Sequence, residues 1–141
     1  MNTPWGRSNT QSTIAQGITR VTTTRHGGFR LDDTRWQELK TVFPDFTSFA
    51  GEKWLEEDCD WAIAYAVWPD AFTGHNCLPE SNYPQAVMTL TRYLNVPEAY
   101  WNSGRGQRLL AMAHRNGRTG FSGIVAGECN ETDLILSNRD F

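Results

Sequence analysis

Alternating hydrophobic and polar positions dominate the start of the chain and predict a β-hairpin there. Residues 17–25 alternate β-branched and polar side chains, a pattern typical of a strand, and residues 29–31 repeat it. His26, Gly27 and Gly28 lie between these two segments. Because glycine adopts positive φ without steric cost, the two glycines predict the turn of the hairpin, with His26 exposed at its tip.

Helical patterns begin after this hairpin. Residues 32–34 are typical of a helix cap, and apolar positions extend the helix to Phe43, where Pro44 ends it. The segment 55–68 is compatible with a helix or a strand. Its apolar residues would share faces of a helix, and its alternate residues would face one side of a strand. Alanine is a poor strand former and acidic residues suit the first turn of a helix, so we favour a helix for this segment.

Apolar spacing in the second half predicts two more helices, over residues 84–94 and 106–117. Proline, glycine and asparagine mark a long loop over residues 69–84. Short apolar runs at residues 121–126 and 134–136 are typical of strands.

The predicted fold is therefore α+β, with a small antiparallel sheet packed against three to four helices. The sheet would combine the N-terminal hairpin with the C-terminal strands. Residues 1–16 are polar and predict an irregular arm, in which Trp5 supplies one aromatic anchor. Residues 17–141 are then expected to form a single compact α+β domain, a usual size for one hydrophobic core.

Composition narrows the class of protein. No apolar stretch approaches the ~20 residues that a membrane-spanning helix needs, and the start of the chain lacks the features of a secretory signal. The three cysteines form no CxxC pair, which favours reduced thiols and a cytoplasmic protein. Nucleotide-binding and metal-binding spacings are not seen either, so we expect no cofactor and no metal.

Charge is concentrated in the middle of the chain. The net charge is −3, yet residues 52–80 alone carry one basic and seven acidic residues, a net −6. A basic footprint for nucleic acid is missing, so we expect no direct nucleic-acid partner. The acidic block would instead attract a cationic protein surface.

The acidic block contains the strongest candidates for chemistry. Four carboxylates (Glu56, Glu57, Asp58 and Asp60) flank Cys59, and Trp61 follows them. Such acids serve as a solvated helix start, as a binding surface, as oxygen ligands of a divalent cation or as a source of proton transfer. Because carboxylates so close together repel one another, a positive partner is expected nearby, and the hairpin arginines, Arg30 among them, are candidates.

His26 is the natural counterpart of these acids in a catalytic hypothesis. A histidine on a glycine turn is exposed, and it would act as acid or base if Glu57 or Asp58 oriented it. A nucleophilic Cys59 paired with His26 is a further hypothesis, without a local signature in the sequence. The alternative is that His26 makes only local hydrogen bonds at a turn.

Three stretches in order resemble a family of small phage and plasmid proteins, DUF7007. They are residues 3–6 (Thr-Pro-Trp-Gly), residues 17–31 with the His-Gly-Gly motif, and residues 56–62 (Glu-Glu-Asp-Cys-Asp-Trp-Ala). The resemblance covers roughly the first 70 residues. Leu55 departs from it, because an aromatic residue is expected before the two glutamates. The resemblance implies a mobile-element origin and one constellation around Trp5, His26 and the acids, without implying an activity.

Three functions are compatible with these features. In the first, the protein binds and inhibits a host defence nuclease or complex, of the anti-CRISPR or anti-restriction type, through an acidic and aromatic-rich surface. Its contact residues would be Trp5, His26, Arg30, Glu56, Glu57, Asp58, Asp60 and Trp61. In the second, it is a small hydrolase or transferase that uses His26. In the third, it is a structural module without a catalytic site. We favour the first and leave open whether the protein forms a homodimer.

Overall fold

The computed structural model describes residues 1–73 and 82–117, and these residues form an α+β fold. Two antiparallel sheets occupy its N-terminal half. The smaller sheet pairs β1 (Asn2–Thr3) with β2 (Gly6–Arg7). The larger sheet has four strands in the order β3-β4-β5-β6, and its members are β3 (Thr10–Ala15), β4 (Ile18–Thr22), β5 (Gly27–Leu31) and β6 (Trp54–Glu56).

Five helices are seen in the described part of the chain. They are α1 (Asp33–Val42), α2 (Trp61–Val67), α3 (Asn82–Arg92), α4 (Glu98–Trp101) and α5 (Gly104–Gly117). The Asp32 side chain caps α1 by accepting the backbone N–H of Arg35 at 2.8 Å. This capping bond satisfies a donor that the first helical turn leaves free. The predicted cap and the predicted end of α1 are confirmed.

The core lies between the larger sheet and the helices. Along β5, Gly27, Phe29 and Leu31 are buried, because alternate residues of a strand face the same side. The helix at the centre is α2, all of whose residues after Trp61 are buried. The Tyr65 ring of this helix stacks on Phe72 at 4.1 Å between ring centres. An all-round apolar helix is typical of an interior position.

The sequence predicted an irregular arm over residues 1–16, and this prediction is wrong. These residues contain the three strands β1, β2 and β3. Strand β3 pairs with β4 along most of its length, with Thr10 opposite Thr22 and Ala15 opposite Ile18. Gly17 lies in the intervening turn at φ +83°, a conformation that favours glycine. Polar residues can form this edge strand because one of its faces is solvated.

Residues 55–68 were predicted to be one helix, and that prediction is only partly right. Trp54–Glu56 forms β6, residues 57–60 form a turn, and the helix begins at Trp61. The acids therefore do not occupy a first helical turn. Pairing with β5 decides the conformation here, because tertiary hydrogen bonds override local propensity.

The predicted helices of the second half are confirmed as α3 and α5. The short α4 was missed, since four residues are too few to show a helical period. Part of the predicted loop (residues 74–81) and both predicted C-terminal strands lie outside the described residues. Within the described residues, no helix combines the length and the apolar character that crossing a bilayer requires.

Candidate functional site

The hairpin turn is built by Thr23 and precedes Gly27 and Gly28, where the sequence predicted it. Its hydroxyl accepts the N–H groups of Arg25 and His26 at 3.1 and 3.0 Å and donates to the His26 carbonyl at 2.7 Å. Side chains of threonine stabilise turns in this way. The turn therefore occupies residues 23–26, and His26 lies at its end with an exposed side chain.

The two glycines after His26 lie in β5 and do not form the turn. Their role is close packing: a Cβ on Gly28 would come 2.1 Å from the Leu55 carbonyl oxygen and 2.9 Å from Cη2 of Trp5. A Cβ on Gly27 would come 2.8 Å from the Val21 carbonyl oxygen. Glycine is thus required because backbone and an indole ring approach the strand, which is one of the usual reasons for glycine within a strand.

The close approach of β6 to β5 brings the acidic turn beside the hairpin tip. Gly28 is paired with Glu56, and the Glu57 N–H donates to the Gly27 carbonyl at 2.9 Å. As a result, Nδ1 of His26 lies 3.6 Å from Oε2 of Glu57, and both side chains are 49% exposed. This separation exceeds hydrogen-bond length and corresponds to a contact between charges when His26 is protonated. The predicted meeting of His26 with the acidic block is observed at Glu57.

The four acids do not point the same way. Glu57 and Asp58 are exposed, whereas Glu56 and Asp60 are only 7% and 6% exposed. We call the exposed set of His26, Glu57 and Asp58 the tip–turn surface. This surface therefore carries two of the four carboxylates of the acidic block, Glu57 and Asp58.

The buried acids are perturbed by their surroundings. Burial raises the pKa of Glu56 to about 6, and a hydrogen bond and charge repulsion from Asp58 add to the effect. Burial also raises the pKa of Asp60, although its carboxylate accepts the Phe49 N–H at 2.7 Å, which opposes that shift. Glu56 directly precedes the acidic turn and Asp60 ends it, so the two buried carboxylates flank the exposed ones in the chain.

Cys59 lies half-buried between these acids. Burial raises the pKa of its thiol, and the charges of Glu56 and Asp60 raise it further. A nucleophilic cysteine needs a thiolate, which positive neighbours favour and negative neighbours oppose. The arrangement therefore favours a protonated thiol at this position.

Aromatic residues flank the site on the outer face of the sheet. Trp5 meets Trp54 edge to face at 5.6 Å, and the Arg30 guanidinium lies 5.1 Å from the centre of the Trp54 ring. Arg30 thus contacts an aromatic ring there. Trp61 lies elsewhere, with its ring edge-on to the buried Tyr65 at 5.2 Å, so this aromatic residue packs partly into the core.

Sequence reasoning missed Phe49, a residue that is 85% exposed and whose backbone is hydrogen-bonded to Asp60 of the acidic turn. A single phenylalanine between polar residues has no period that would identify it. Trp54 was missed as a site residue as well, although its place beside the four acids was a usable signal. Among residues 1–73 and 82–117, no three His, Cys, Asp or Glu side chains are grouped so that they could hold a metal ion.

A comparison of the chain with known protein families shows the family to which it belongs. The family described as a domain of unknown function (DUF7007) matches residues 1–118, so the chain belongs to this family. The match extends well beyond the first 70 residues on which the resemblance was recognised. No curated protein and no solved structure matches the chain.

Proposed function

We propose that this member of the DUF7007 family works by binding a protein partner through its tip–turn surface. The observation that supports this proposal is the convergence of His26 and Glu57 at 3.6 Å on an exposed part of the molecule. His26 directly precedes β5 and Glu57 directly follows β6, and these two strands are held together by backbone bonds and by close packing at the glycines. A rigid surface loses little conformational entropy when it binds, which favours recognition.

The partner that fits this surface is a protein with a cationic face. Glu57 and Asp58 supply two exposed carboxylates, and Asp58 also adds to the negative potential around the buried Glu56. Opposite charges on two proteins speed their encounter and set their orientation. The nucleic-acid groove of a host defence nuclease is a surface of this kind, and we propose such a nuclease or its complex in the bacterial cytoplasm as the target.

Charge reversal tests the binding surface. The variant Glu57→Lys/Asp58→Lys should lose the partner, because two attractive contacts become repulsive and like charges across an interface cost several kcal/mol. Glu98→Lys is the matched control, since Glu98 is exposed at the start of α4, away from this turn in the chain. Each protein would be used as bait in a bacterial lysate, and the captured proteins quantified by mass spectrometry.

The proposal predicts a protein that the wild type and Glu98→Lys capture and that the double reversal does not. Capture of the same proteins by all three baits would overturn it. The inhibitory role is tested separately by plating a phage on bacteria with and without a restriction or CRISPR system. Expression of the protein should raise plating only on the defended strain, and the double reversal should abolish that effect.

A second candidate function rests on the same contact. A carboxylate 3.6 Å from an imidazole nitrogen, as in the His26–Glu57 pair, would orient a histidine that acts as general acid or base in a small hydrolase or transferase. His26→Ala separates the two candidates in the plating and capture assays. Unchanged capture with a lost plating effect favours the enzyme. Loss of capture together with the plating effect favours binding, because His26 is part of the tip–turn surface. The exposure of both side chains favours binding, because enzymes exclude water from such pairs.

A further inference from the structure

Phe49 lies in a tight turn, and the residue is 85% exposed. The turn closes between Ser48 and Gly51: the Ser48 hydroxyl donates to the Gly51 carbonyl, and the Gly51 N–H returns to the Ser48 carbonyl at 3.4 Å. Gly51 has a φ of +112°, which favours glycine. Isolated apolar residues on surfaces are common and need no function by themselves.

The backbone of Phe49 is fixed by a hydrogen bond to the acidic turn. This bond distinguishes Phe49 from an ordinary exposed residue. The backbone N–H of Phe49 donates at 2.7 Å to the carboxylate of Asp60, which is 6% exposed. Asp60 directly precedes α2, yet its side chain makes no capping bond there. A buried carboxylate is costly unless hydrogen bonds satisfy it, and here the bond goes to an exposed loop.

The other end of the same loop is fixed as well. Lys53 adopts a φ of +73°, which is unusual for a residue other than glycine, and its carbonyl accepts the Leu31 N–H at 2.9 Å. The Lys53 ammonium also pairs with the Asp33 carboxylate at 2.5 Å. The loop that joins α1 to β6 is therefore held by contacts at Phe49 and at Lys53.

We propose that Phe49 is the apolar anchor of the tip–turn surface, an inference that rests on the proposed function. The Asp60 bond ties Phe49 to the turn that carries Glu57 and Asp58. Binding energy in interfaces is concentrated in a few rigid aromatic residues that enter pockets, while charges around them guide the approach. The partner should therefore have an apolar pocket bordered by lysine or arginine, which receives the Phe49 ring.

The chain offers a matched control for this anchor. Tyr93 is another exposed aromatic residue, 63% accessible, and it follows the end of α3. Phe49 and Tyr93 thus share aromatic character and exposure, and differ in attachment to the acidic turn. Most of the surface of each residue is exposed, so both alanine variants should fold like the wild type.

The experiment uses the photoreactive amino acid p-benzoylphenylalanine in place of Phe49, Asp58 or Tyr93, one position at a time, in the full chain expressed in bacteria. Irradiation joins the probe to any protein within its reach, and mass spectrometry identifies the joined peptide. We expect positions 49 and 58 to join the same protein and position 93 to join none. The peptide at position 49 should be apolar, with lysine or arginine beside it.

Affinity then tests the anchor quantitatively on the protein identified in this way. Phe49→Ala should weaken binding at least about tenfold, as loss of an anchor does, and Tyr93→Ala less than about twofold. Adducts at position 58 with none at 49, or an unchanged affinity of Phe49→Ala, would overturn this inference and leave the proposed function standing. Adducts at neither position would overturn the proposed function, and the inference with it.

Discussion

Gly28→Ala probes the contact that positions the whole site. The added Cβ would lie 2.1 Å from the Leu55 carbonyl oxygen, whereas Cβ atoms essentially never come closer than 3.0 Å to such a neighbour. Strands β5 and β6 must therefore separate by about 0.9 Å, the difference between these two distances. Because the obstructing atoms belong to the backbone, no change of side-chain rotamer would relieve the clash.

The magnitude follows from the bonds that this separation stretches. The Glu57 N–H to Gly27 carbonyl bond would lengthen from 2.9 Å to about 3.8 Å, beyond hydrogen-bond range. Such a bond contributes about 1 kcal/mol, and forced repacking adds ~1–3 kcal/mol. We expect Gly28→Ala to lower the free energy of unfolding by about 3 kcal/mol on these grounds.

Denaturant unfolding followed by tryptophan fluorescence measures this loss. Gly104→Ala is the control, because nothing lies within 4 Å of its Cβ position and it begins α5, where alanine is favourable. Trp5→Ala provides a second comparison: removing the ring leaves the Leu55 carbonyl in place, so the cost of Gly28→Ala should persist in that background. A loss below about 0.5 kcal/mol, the usual range for a harmless surface change, would refute the packing argument.

Three further variants test individual contacts. Asp32→Ala should cost about 1 kcal/mol in denaturant unfolding, because it removes the cap on the Arg35 N–H. Tyr100→Phe should cost about 1–2 kcal/mol in the same assay, since its buried hydroxyl donates to the Ala66 carbonyl at 2.8 Å. Glu56 has its pKa raised in the fold from 4.5 to about 6, so its contribution to stability is present below pH 4.5 and lost as pH rises through about 6. Thermal unfolding of Glu56→Gln across this range should show a weaker pH dependence than the wild type and a higher stability at pH 7; identical profiles would contradict the assigned cause.

The sequence predicts the elements whose signals are local. The Asp32 cap identified the start of α1, and apolar spacing identified α3 and α5. The β-branched alternation of residues 17–25 identified β4, because half of such a strand is buried. These features depend on neighbouring residues, so they can be read from the chain directly.

The elements that were mispredicted depend on distant partners. Strand β6 is three residues long and forms because it pairs with the edge of β5. The sequence of residues 54–56 does not indicate this pairing. The role of Gly28 was misread for the same reason, since the obstructing atoms belong to Leu55 and Trp5. Polar strands β1 to β3 show no hydrophobic pattern because they are largely exposed.

The candidate site was predicted in part. His26 and the acidic residues were identified from their types, and their meeting was a hypothesis that the geometry confirms. The sequence could not show that Glu56 and Asp60 turn inward, because burial follows from the sheet and the loop that cover them. Phe49 is connected to the site through its hydrogen bond to Asp60, which lies eleven positions later in the chain and which the sequence around Phe49 does not reveal.

The salt dependence of partner binding tests the central claim most directly. With the captured protein purified, affinity would be measured at several salt concentrations for the wild type and for the neutralised variant Glu57→Gln/Asp58→Asn. The account predicts that wild-type binding weakens as salt rises, because exposed charges are screened, and that the neutral variant binds more weakly with a flatter dependence. Equal affinities with the same salt dependence would contradict a role for the exposed carboxylates.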